Sequence, residues 1–141
     1  MCRVSVVIPN YNGKIYLKDC MEALKGQTFQ DFELIFVDNG STDDSLEYLK
    51  VCYPETRVVQ LSENYGFCRA VNEGVKLSRA EYVILLNNDT KAMPDFIREL
   101  VNTMDAHPSC FSCASHMYKM ADPSKTDDAG DFFCALGWAF A

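Results

Sequence analysis

The chain has 141 residues, of which 48% are hydrophobic and 23% are charged, and this is the composition of one ordinary globular domain. The formal net charge of -7 argues against a nucleic-acid groove or a polybasic membrane patch, because both need clustered Lys and Arg. No apolar run approaches the roughly 20 residues of a membrane span, and a strand-like run from Val4 leaves no room for a signal peptide. The seven scattered cysteines, an odd number, favour reduced thiols in a cytoplasmic protein over a disulfide framework.

Strand-like and helix-like segments alternate through the first part of the chain. Runs rich in β-forming residues predict strands over 4–9, 32–37, 57–61 and 82–86, and apolar residues at helical spacing predict helices over 14–25, 43–52 and 67–78. Ser41 or Thr42 is expected to cap the second helix, with Asp43 and Asp44 in its first turn. The order βαβαβαβ implies parallel strands joined by right-handed crossovers.

The remainder of the chain predicts fewer regular elements. A helix is expected after Pro94, over 95–106, and the small apolar residues from Cys110 to His116 predict a strand. Residues 121–131 have the composition of a loop, and the last ten residues are apolar again. Because no linker or internal repeat interrupts the sequence, we expect one α/β domain over residues 1–141 with a mostly parallel central sheet flanked by helices.

The fourth predicted strand ends in a polar stretch with one carboxylate. The run Tyr82 to Leu86 reads as a strand buried on both faces, and Asn87, Asn88 and Asp89 follow it directly. Ligands of open α/β sheets bind at the carboxyl ends of strands, and a single carboxylate there suits Mg²⁺ or Mn²⁺. The alternative is that Asp89 and Thr90 only turn the chain or cap the next helix.

Four consecutive strand ends share this polar character. In a parallel sheet they meet at one edge, and their side chains suit the recognition of a nucleotide. Asp38 could accept a hydrogen bond from a base or ribose, Tyr11 could lie against the base, Gly66 allows close backbone approach, and Arg69 could reach a diphosphate. The alternative reading is that Asn, Asp and Gly are simply the usual turn residues. The four stretches are Pro9-Asn10-Tyr11-Asn12, Asp38-Asn39-Gly40-Ser41, Asn64-Tyr65-Gly66 and Asn87-Asn88-Asp89.

Four motifs in this part of the chain resemble those of the family 2 glycosyltransferases with the GT-A fold, in particular a rhamnosyltransferase-like branch. They occur in the family's order and spacing, from about residue 3 to residue 90. The motifs are Val6-Val7-Ile8-Pro9-Asn10-Tyr11-Asn12, Val37-Asp38-Asn39-Gly40-Ser41-Thr42-Asp43, Asn64-Tyr65-Gly66-Phe67 with Ala70 and Asn72, and Leu85-Leu86-Asn87-Asn88-Asp89-Thr90.

The resemblance implies a nucleotide-diphospho-sugar donor, an inverting transfer and bound Mn²⁺ or Mg²⁺. It implies that Asp89 binds the metal as the last residue of the family's Asp-x-Asp motif, whose first Asp is Asn87 here, so the site carries one negative charge fewer. The same expectation includes a saccharide or lipid-linked acceptor and a role in cell-surface polysaccharide synthesis. It also includes a cytoplasmic location that extends to the inner face of the membrane. The substrate-binding residues it implies are Pro9, Tyr11, Asn12, Asp38, Asn39, Asn64, Gly66, Phe67, Arg69, Asn72, Asn87 and Asn88.

The family's catalytic base lies in the second half of the fold, which this chain does not reach. Inverting transfer needs a general base within hydrogen-bond reach of the acceptor hydroxyl. Asp128-Ala129-Gly130 resembles the segment that begins this second half, but none of the late carboxylates Asp127, Asp128 and Asp131 is assigned as the base. We therefore expect a fragment truncated in its acceptor-binding part, with the catalytic base beyond Ala141. The alternative to an active transferase is a non-catalytic nucleotide-sugar-binding fragment or subunit, and the apolar C-terminus is open to self-association.

Other functional patterns are weak. His107, Cys110, Cys113 and His116 follow one another at intervals of three residues. Residues three apart on a strand face opposite sides, which argues against a zinc site. Position 87 is an amide, so an aspartyl-phosphate nucleophile is missing. Glycine-rich dinucleotide and P-loop motifs are absent from the sequence. A nucleotidyltransferase would need a Gly-rich basic loop after the first strand, where only Gly13 and Lys14 occur.

Overall fold

A computed structural model of the chain describes residues 2–128, 132–133 and 139–140. The chain divides into two compact units, Met1–Asp95 and Phe96–Ala141. Within the described residues, no helix has both the length and the apolar character needed to cross a bilayer. The prediction of a single domain concerns the whole chain and stays a prediction.

The first unit is an α/β layer structure built on a four-stranded parallel sheet. Its elements are β1 (Val4–Asn10), α1 (Lys14–Lys25), β2 (Phe32–Asp38), α2 (Ser45–Cys52), β3 (Arg57–Gln60), α3 (Phe67–Leu77) and β4 (Tyr82–Leu85). The strand order is β3-β2-β1-β4, and all three pairings are parallel. The predicted α/β class and parallel sheet are therefore confirmed, and each strand and helix of this unit lies within a few residues of its predicted position.

Strand β1 lies between β2 and β4 in this sheet, and all seven of its residues are buried. Pro9 lies inside it although proline cannot donate to a ladder. The carbonyl of Val7 accepts from the N–H of Leu86, so alternate residues of β1 face β4, and the β1–β4 ladder ends at the pair Val7–Leu85. The missing donor of Pro9 thus falls beyond the end of that ladder.

Helix α3 packs directly on the sheet. Ala70 of the helix forms a buried cluster with Val7, Ile35 and Val37 of the two central strands. Gly74 lies at the closest approach, since a Cβ atom there would be 2.3 Å from Val7 Cγ1 and 3.0 Å from Val37 Cγ2. Glycine at this position lets the helix backbone lie closer to the sheet than any other residue would.

Two predictions about this unit are wrong. Strand β4 is not buried on both faces: only Ile84 is buried, while Val83 and Leu85 are 39% and 53% exposed. Within the described sheet β4 lies at the edge and pairs only with β1, so its apolar run does not mark a central strand. Helix α2 begins at Ser45 with Asp44 at its N-cap and has no side-chain cap, so neither Ser41 nor Thr42 caps it.

The second unit contains α4 (Phe96–Ala106), β5 (Met117–Lys119), β6 (Asp122–Asp128), β7 (Phe132–Phe133) and β8 (Ala139–Phe140). Strand β5 pairs antiparallel with β6, and β7 pairs antiparallel with β8. The predicted helix is confirmed. The predicted strand from Cys110 to His116 is wrong, because no regular element occurs there, and the loop predicted over 121–131 is a strand over Asp122–Asp128. Residues 129–131 and most of the apolar end lie outside the described residues.

Candidate donor site at the carboxyl edge of the sheet

Strands β1, β2 and β3 of the first unit end at the same level, at one edge of the sheet. Asn10 of β1 pairs in register with Asp38 of β2, and Asp38 pairs with Gln60 of β3. Strand β4 stops three positions earlier, at Leu85, so the segment after it, which contains Asn88, runs alongside the end of β1. All four polar stretches predicted from the sequence therefore start at this edge.

Asn10 lies at the centre of a buried polar cluster. It is 2% exposed, and its Nδ2 lies 3.2 Å from Asp38 Oδ1, 3.0 Å from Ser41 Oγ and 3.0 Å from Ser45 Oγ. Its Oδ1 accepts a hydrogen bond of 2.6 Å from Asn88 Nδ2. One side chain thus joins the ends of three strands.

Asp38 is completely buried in this cluster. Its Oδ1 accepts from Asn10, and its Oδ2 accepts from the backbone N–H of Ser41 at 3.2 Å. Both oxygens are therefore engaged within the protein, although an oxygen with two lone pairs retains capacity for a further donor. The predicted contact of Asp38 with a base or ribose stays a prediction.

The loop after β1 is fastened to the loop after β2 by Asn12. This residue has a φ of +53°, a left-handed conformation that asparagine tolerates better than most residues. Its Oδ1 accepts from the backbone N–H groups of Thr42 at 2.8 Å and Asp43 at 3.3 Å, and its own N–H donates to Ser41 Oγ. Asn12, predicted to bind substrate, is here a brace between two loops.

Lys14 strengthens the same junction. Its backbone N–H donates to Asp43 Oδ2 at 3.0 Å, and its Nζ lies 2.6 Å from Asp44 Oδ2. The hydrogen bond to Asp44 raises the pKa of Lys14. Burial alone would raise the pKa of Asp43, but hydrogen bonds from Ser45 and from the backbone of Lys14 outweigh it, and the pKa of Asp43 is lowered.

Asn39 fixes the loop after β3 in the same way. It is 4% exposed, its Nδ2 donates to Asn64 Oδ1 at 2.9 Å and to the Gly66 carbonyl at 3.3 Å, and its Oδ1 accepts from the N–H of Tyr65 at 3.0 Å. Asn64 Oδ1 also accepts from the N–H of Gly66. The amides of Asn39 and Asn64, both predicted to bind substrate, shape this loop.

Two glycines allow these loops to meet. Gly40 has a φ of +75°, and a Cβ atom there would lie 2.6 Å from the backbone of Glu63. Gly66 has a φ of +86°, and a Cβ atom there would meet no atom within 4 Å. Gly40 is thus needed for its conformation and for space, whereas Gly66 is needed for its conformation alone.

Exposed side chains surround the buried cluster. Tyr11 is 49% exposed, and Phe67, the first residue of α3, is 57% exposed. The guanidinium of Arg69 lies 4.0 Å from the centre of the Tyr65 ring, a cation–π contact that holds a positive charge beside the loop after β3. Pro9 is buried, and the other exposed residues predicted for the site are Asn12, Asn64, Gly66, Asn72, Asn87 and Asp89.

Asp89 is an exposed carboxylate at this edge. Its negative charge adds to the effect of burial, which raises the pKa of the Cys20 thiol on α1 to about 12. Among the described residues, no group of three or more His, Cys, Asp or Glu side chains is placed to hold a metal ion. A cation at Asp89 would therefore take most of its ligands from a bound substrate and water, which is the usual manner of Mg²⁺.

The paired His and Cys residues of the second unit do not form a regular strand, so the strand-spacing argument against zinc does not apply to them. His116 instead stacks on Tyr118 with ring centres 4.6 Å apart, and its Nε2 lies 2.8 Å from Thr126 Oγ1. The six cysteines in the described part of the chain are free thiols.

Sequence reasoning missed the roles of Asn10, Ser45 and Gly13. Asn10 was assigned to the polar edge without a role, although an asparagine that ends a wholly buried strand signals an internal hydrogen-bond partner. Ser45 opens a helix and points inward. Gly13 precedes α1, and a Cβ atom there would lie 2.1 Å from Asn88 Nδ2.

A model of glycosyl transferase family 2 matches residues 5–132 of the chain. Glycosyltransferase GlyG of Streptococcus pneumoniae is 34% identical over 100 residues, which cover 69% of this chain and 33% of GlyG. Chondroitin synthase of Escherichia coli is 37% identical over 97 residues, which cover 67% of this chain and 14% of that protein. The chain spans about a third of the length of GlyG and of the putative glycosyltransferase EpsH of Bacillus subtilis, 33% and 37%.

Solved structures share the fold. TarS 1-349 of S. aureus in complex with UDP-GlcNAc superposes with a TM-score of 0.70 at 23% identity, over 83% of this chain and 38% of that one. The mannosyltransferase PcManGT of Pyrobaculum calidifontis, in complex with GDP-Man and Mn²⁺, gives 0.65 at 21% identity, over 73% and 32%. The predicted GT-A fold is confirmed.

Proposed function

The chain belongs to glycosyl transferase family 2, and we propose that it forms the donor-binding part of an inverting, metal-dependent transferase that uses a nucleotide-diphospho-sugar. The observation that carries the proposal is the carboxyl edge of the sheet. There, a buried hydrogen-bonded cluster around Asn10 and Asp38 fixes loops that present Tyr11, Arg69 and Asp89 to solvent. Ligands of open α/β sheets bind at such an edge.

The base would lie on the β1–β2 side of this edge. Tyr11 is exposed enough to stack on a base, and its backbone follows directly from Pro9 and Asn10, which β1 holds rigidly. Asp38 would accept from a base or ribose donor through its remaining lone pairs. This assignment leaves the identity of the base, uracil or guanine among the nucleotides bound by the two related structures, to experiment.

The ribose and diphosphate would face the segment from Asn64 to Asn72. Gly66 leaves open space at the start of α3, where the helix N-terminus favours negative charge. Arg69 adds a fixed positive charge one turn further. Asn64, Phe67 and Asn72 complete the proposed surface, with Asn87 and Asn88 on the β4 side.

Asp89 would hold Mn²⁺ or Mg²⁺. The residues present fit such an ion, because one exposed carboxylate together with donor phosphates and water is a common ligand set for a hard divalent cation. When bound, the cation neutralises charge that develops on the departing diphosphate. Asn87, where the family has a carboxylate, leaves the protein's contribution to this site at a single negative charge.

A second candidate function is donor binding without transfer, and a specific observation favours it. The chain spans about a third of GlyG, and the family motifs assign its residues to the donor and the metal and none of them to a general base. Asp127 is exposed on the polar strand β6, while the side chain of Asp128 and all of Asp131 lie outside the described residues. On this reading another polypeptide segment supplies the base and the acceptor site.

The broader setting rests on the family resemblance. We propose a saccharide or lipid-linked acceptor, a cytoplasmic location with peripheral membrane association, and a role in cell-surface polysaccharide synthesis. The rhamnosyltransferase-like branch rests on the sequence Asn87-Asn88-Asp89. Self-association through the apolar C-terminal residues is a further proposal, and those residues lie largely outside the described part of the chain.

Thermal unfolding in the presence of nucleotides tests the donor site. UDP, GDP and dTDP are added in turn, each with and without Mn²⁺, to the wild type, to Asp89→Ala and to Glu55→Ala. A ligand at about 100 times its dissociation constant stabilises by about 2.7 kcal/mol, which raises the melting temperature of a chain of this size by several degrees. We expect one nucleotide to give a rise that depends on Mn²⁺.

Asp89→Ala should lose that rise, and Glu55→Ala should keep it. Glu55 is an exposed carboxylate just before β3, at the opposite edge of the sheet, so it controls for the loss of a charge. An equal rise in all three proteins would remove Asp89 from the metal site. The absence of any rise with all three nucleotides would contradict donor binding by this chain.

A further inference from the structure

The side chain of Asn10 has only one workable orientation. Its amide nitrogen faces three oxygens, Asp38 Oδ1, Ser41 Oγ and Ser45 Oγ, all within 3.2 Å. Asp38 also accepts from the backbone of Ser41, so its carboxylate acts only as an acceptor in the cluster. The position that faces Asp38 must therefore be occupied by the NH₂ group of Asn10.

The hydroxyl of Ser45 gives the same answer. Ser45 Oγ donates its proton to Asp43 Oδ1, which leaves only lone pairs for Asn10. Ser41 Oγ accepts from the backbone N–H of Asn12 and keeps its own proton, so it is compatible with either orientation of the Asn10 amide. Turning the Asn10 amide over would place its oxygen against Asp38, an uncompensated contact between two acceptors in a wholly buried site.

This orientation dictates what can stand at position 88. The Asn10 oxygen is directed at the segment after β4 and receives Asn88 Nδ2 at 2.6 Å. A donor is required there, and an amide supplies one whereas a carboxylate does not. Gly13 leaves room for the bond, because a Cβ atom there would lie 2.6 Å from Asn10 Oδ1 and 2.1 Å from Asn88 Nδ2.

We propose that Asn10 is a positioning residue that fixes the direction of the hydrogen bonds across the site. Its NH₂ group donates to the Asp38 carboxylate, and its oxygen therefore accepts from the Asn88 amide. We call this set of three side chains the amide relay. It links Asp38, on the side of the edge assigned to the base, with Asn88, next to Asp89, so one buried side chain orients both residues. The ligand roles given to these two sides of the edge rest on the proposed function, but the hydrogen bonds of the relay do not.

The relay explains why the middle residue of Asn87-Asn88-Asp89 is an amide. A carboxylate at position 88 would meet the Asn10 oxygen. If Asn10 turned over to meet it, the amide oxygen would then oppose Asp38. Either arrangement leaves one pair of acceptors in contact, so the negative charge at one end of the relay excludes a negative charge at the other.

The test is thermal unfolding of five variants without any ligand, the fifth being the single change Asp38→Asn that the double variant is compared with. Asn88→Asp should lower the melting temperature by about 5–10 °C, the range expected when a buried hydrogen bond is replaced by an opposed pair. Asn87→Asp adds the same charge one residue earlier on an exposed side chain and should change it by no more than about 2 °C. Asn88→Ala removes the donor without adding an acceptor and should fall between them.

The fourth variant reverses the relay. In Asp38→Asn/Asn88→Asp the carboxylate stands at the other end, so Asn10 can turn over, donate to position 88 and accept from position 38, once the Ser45 hydroxyl turns its proton from Asp43 to the Asn10 oxygen. We expect this double variant to be more stable than the sum of its two single changes by at least half of the loss seen in Asn88→Asp. Such a gain is a consequence of polarity, and a residue that only fills space would not produce it.

Equal melting temperatures for Asn88→Asp and Asn87→Asp, or additive losses in the double variant, would overturn the relay. If Asn88→Asp does not fold, the double variant decides alone: a folded protein supports the relay, and an unfolded one beside a folded Asp38→Asn contradicts it. Because no nucleotide is present, a failure here is separate from a failure of donor binding, which the nucleotide-dependent shift of the wild type measures.

Discussion

The polar residues at the carboxyl edge of the sheet divide into a buried group and an exposed group. Asn10, Asp38 and Asn39 are at most 4% exposed, and every one of their side-chain polar atoms contacts another part of the protein. Tyr11 and Asp89 belong to the exposed group and stand within one residue of the buried cluster. Neighbours in the sequence therefore have different tasks, one fixing the loop and the other facing solvent.

This division separates stability from ligand binding. The buried group holds the loops after β1, β2, β3 and β4 to one another, so its loss should lower the free energy of unfolding. The exposed group adds little to folding, so its loss should appear only when a ligand is present. Each of the following changes tests this separation.

The largest effect is expected from Asp38→Ala. The change leaves the Ser41 N–H without its acceptor and removes one of the three oxygens that face Asn10 Nδ2 in a buried site, and a buried donor left unsatisfied costs about 1–3 kcal/mol. We expect the free energy of unfolding, measured by urea denaturation, to fall by about 2–4 kcal/mol. Asp89→Ala is the matched control and should change it by less than about 0.5 kcal/mol. Similar losses in both variants would show that the two groups do not differ in this way.

A smaller effect separates the two glycines with positive φ. Gly40→Ala and Gly66→Ala both place a side chain in an unfavourable conformation, at about 1–3 kcal/mol. Only Gly40→Ala also forces a Cβ atom to within 2.6 Å of the Glu63 backbone, so its loss of unfolding free energy should be greater by about 1–3 kcal/mol. Chemical denaturation of the two variants measures the difference. An equal loss would mean that the loops after β2 and β3 separate easily.

The smallest effect is the pH dependence contributed by Asp43. Its pKa is lower in the folded chain than in the unfolded chain, so the unfolded chain binds the proton more tightly. The resulting stabilisation is complete above the unfolded pKa, near 3.9, and is lost as the pH falls through the folded pKa. Asp43→Asn should therefore flatten the loss of stability below about pH 4 by less than about 1 kcal/mol. An unchanged slope in Asp43→Asn would show that Asp43 does not contribute to it.

The periodicity of the sequence predicted the first unit well because its buried strands are continuous apolar runs. Strand β1 is buried along its whole length, and helices α1 and α3 carry apolar residues at helical spacing. Local sequence patterns failed to predict features that depend on side chains distant in the sequence. Ser41 does not cap α2, because its hydroxyl is taken by Asn10 and Asn12, some thirty positions earlier in the chain.

The other incorrect predictions concern strands whose structure depends on which strand they pair with. Strand β6, Asp122–Asp128, has mostly exposed and polar residues, and its pairing with β5 creates a strand that composition does not indicate. Strand β4 has the apolar run of a central strand but lies at the edge of the described sheet. For the site, the types of residue and the edge where they meet were predictable. The direction of the Asn10 amide was not, because it depends on Asp38, Ser45 and Asn88 together.

The close packing of Gly74 against Val7 and Val37 has a consequence for residues far from it. Gly74 lies seven positions after Phe67 along α3, a rise of about 10 Å along the helix. Because an α-helix is stiff, the distance between Gly74 and the sheet determines how far Arg69 lies from the sheet. A single methyl group added at Gly74 would tilt the helix and displace the Arg69 guanidinium, although the two residues are not in contact.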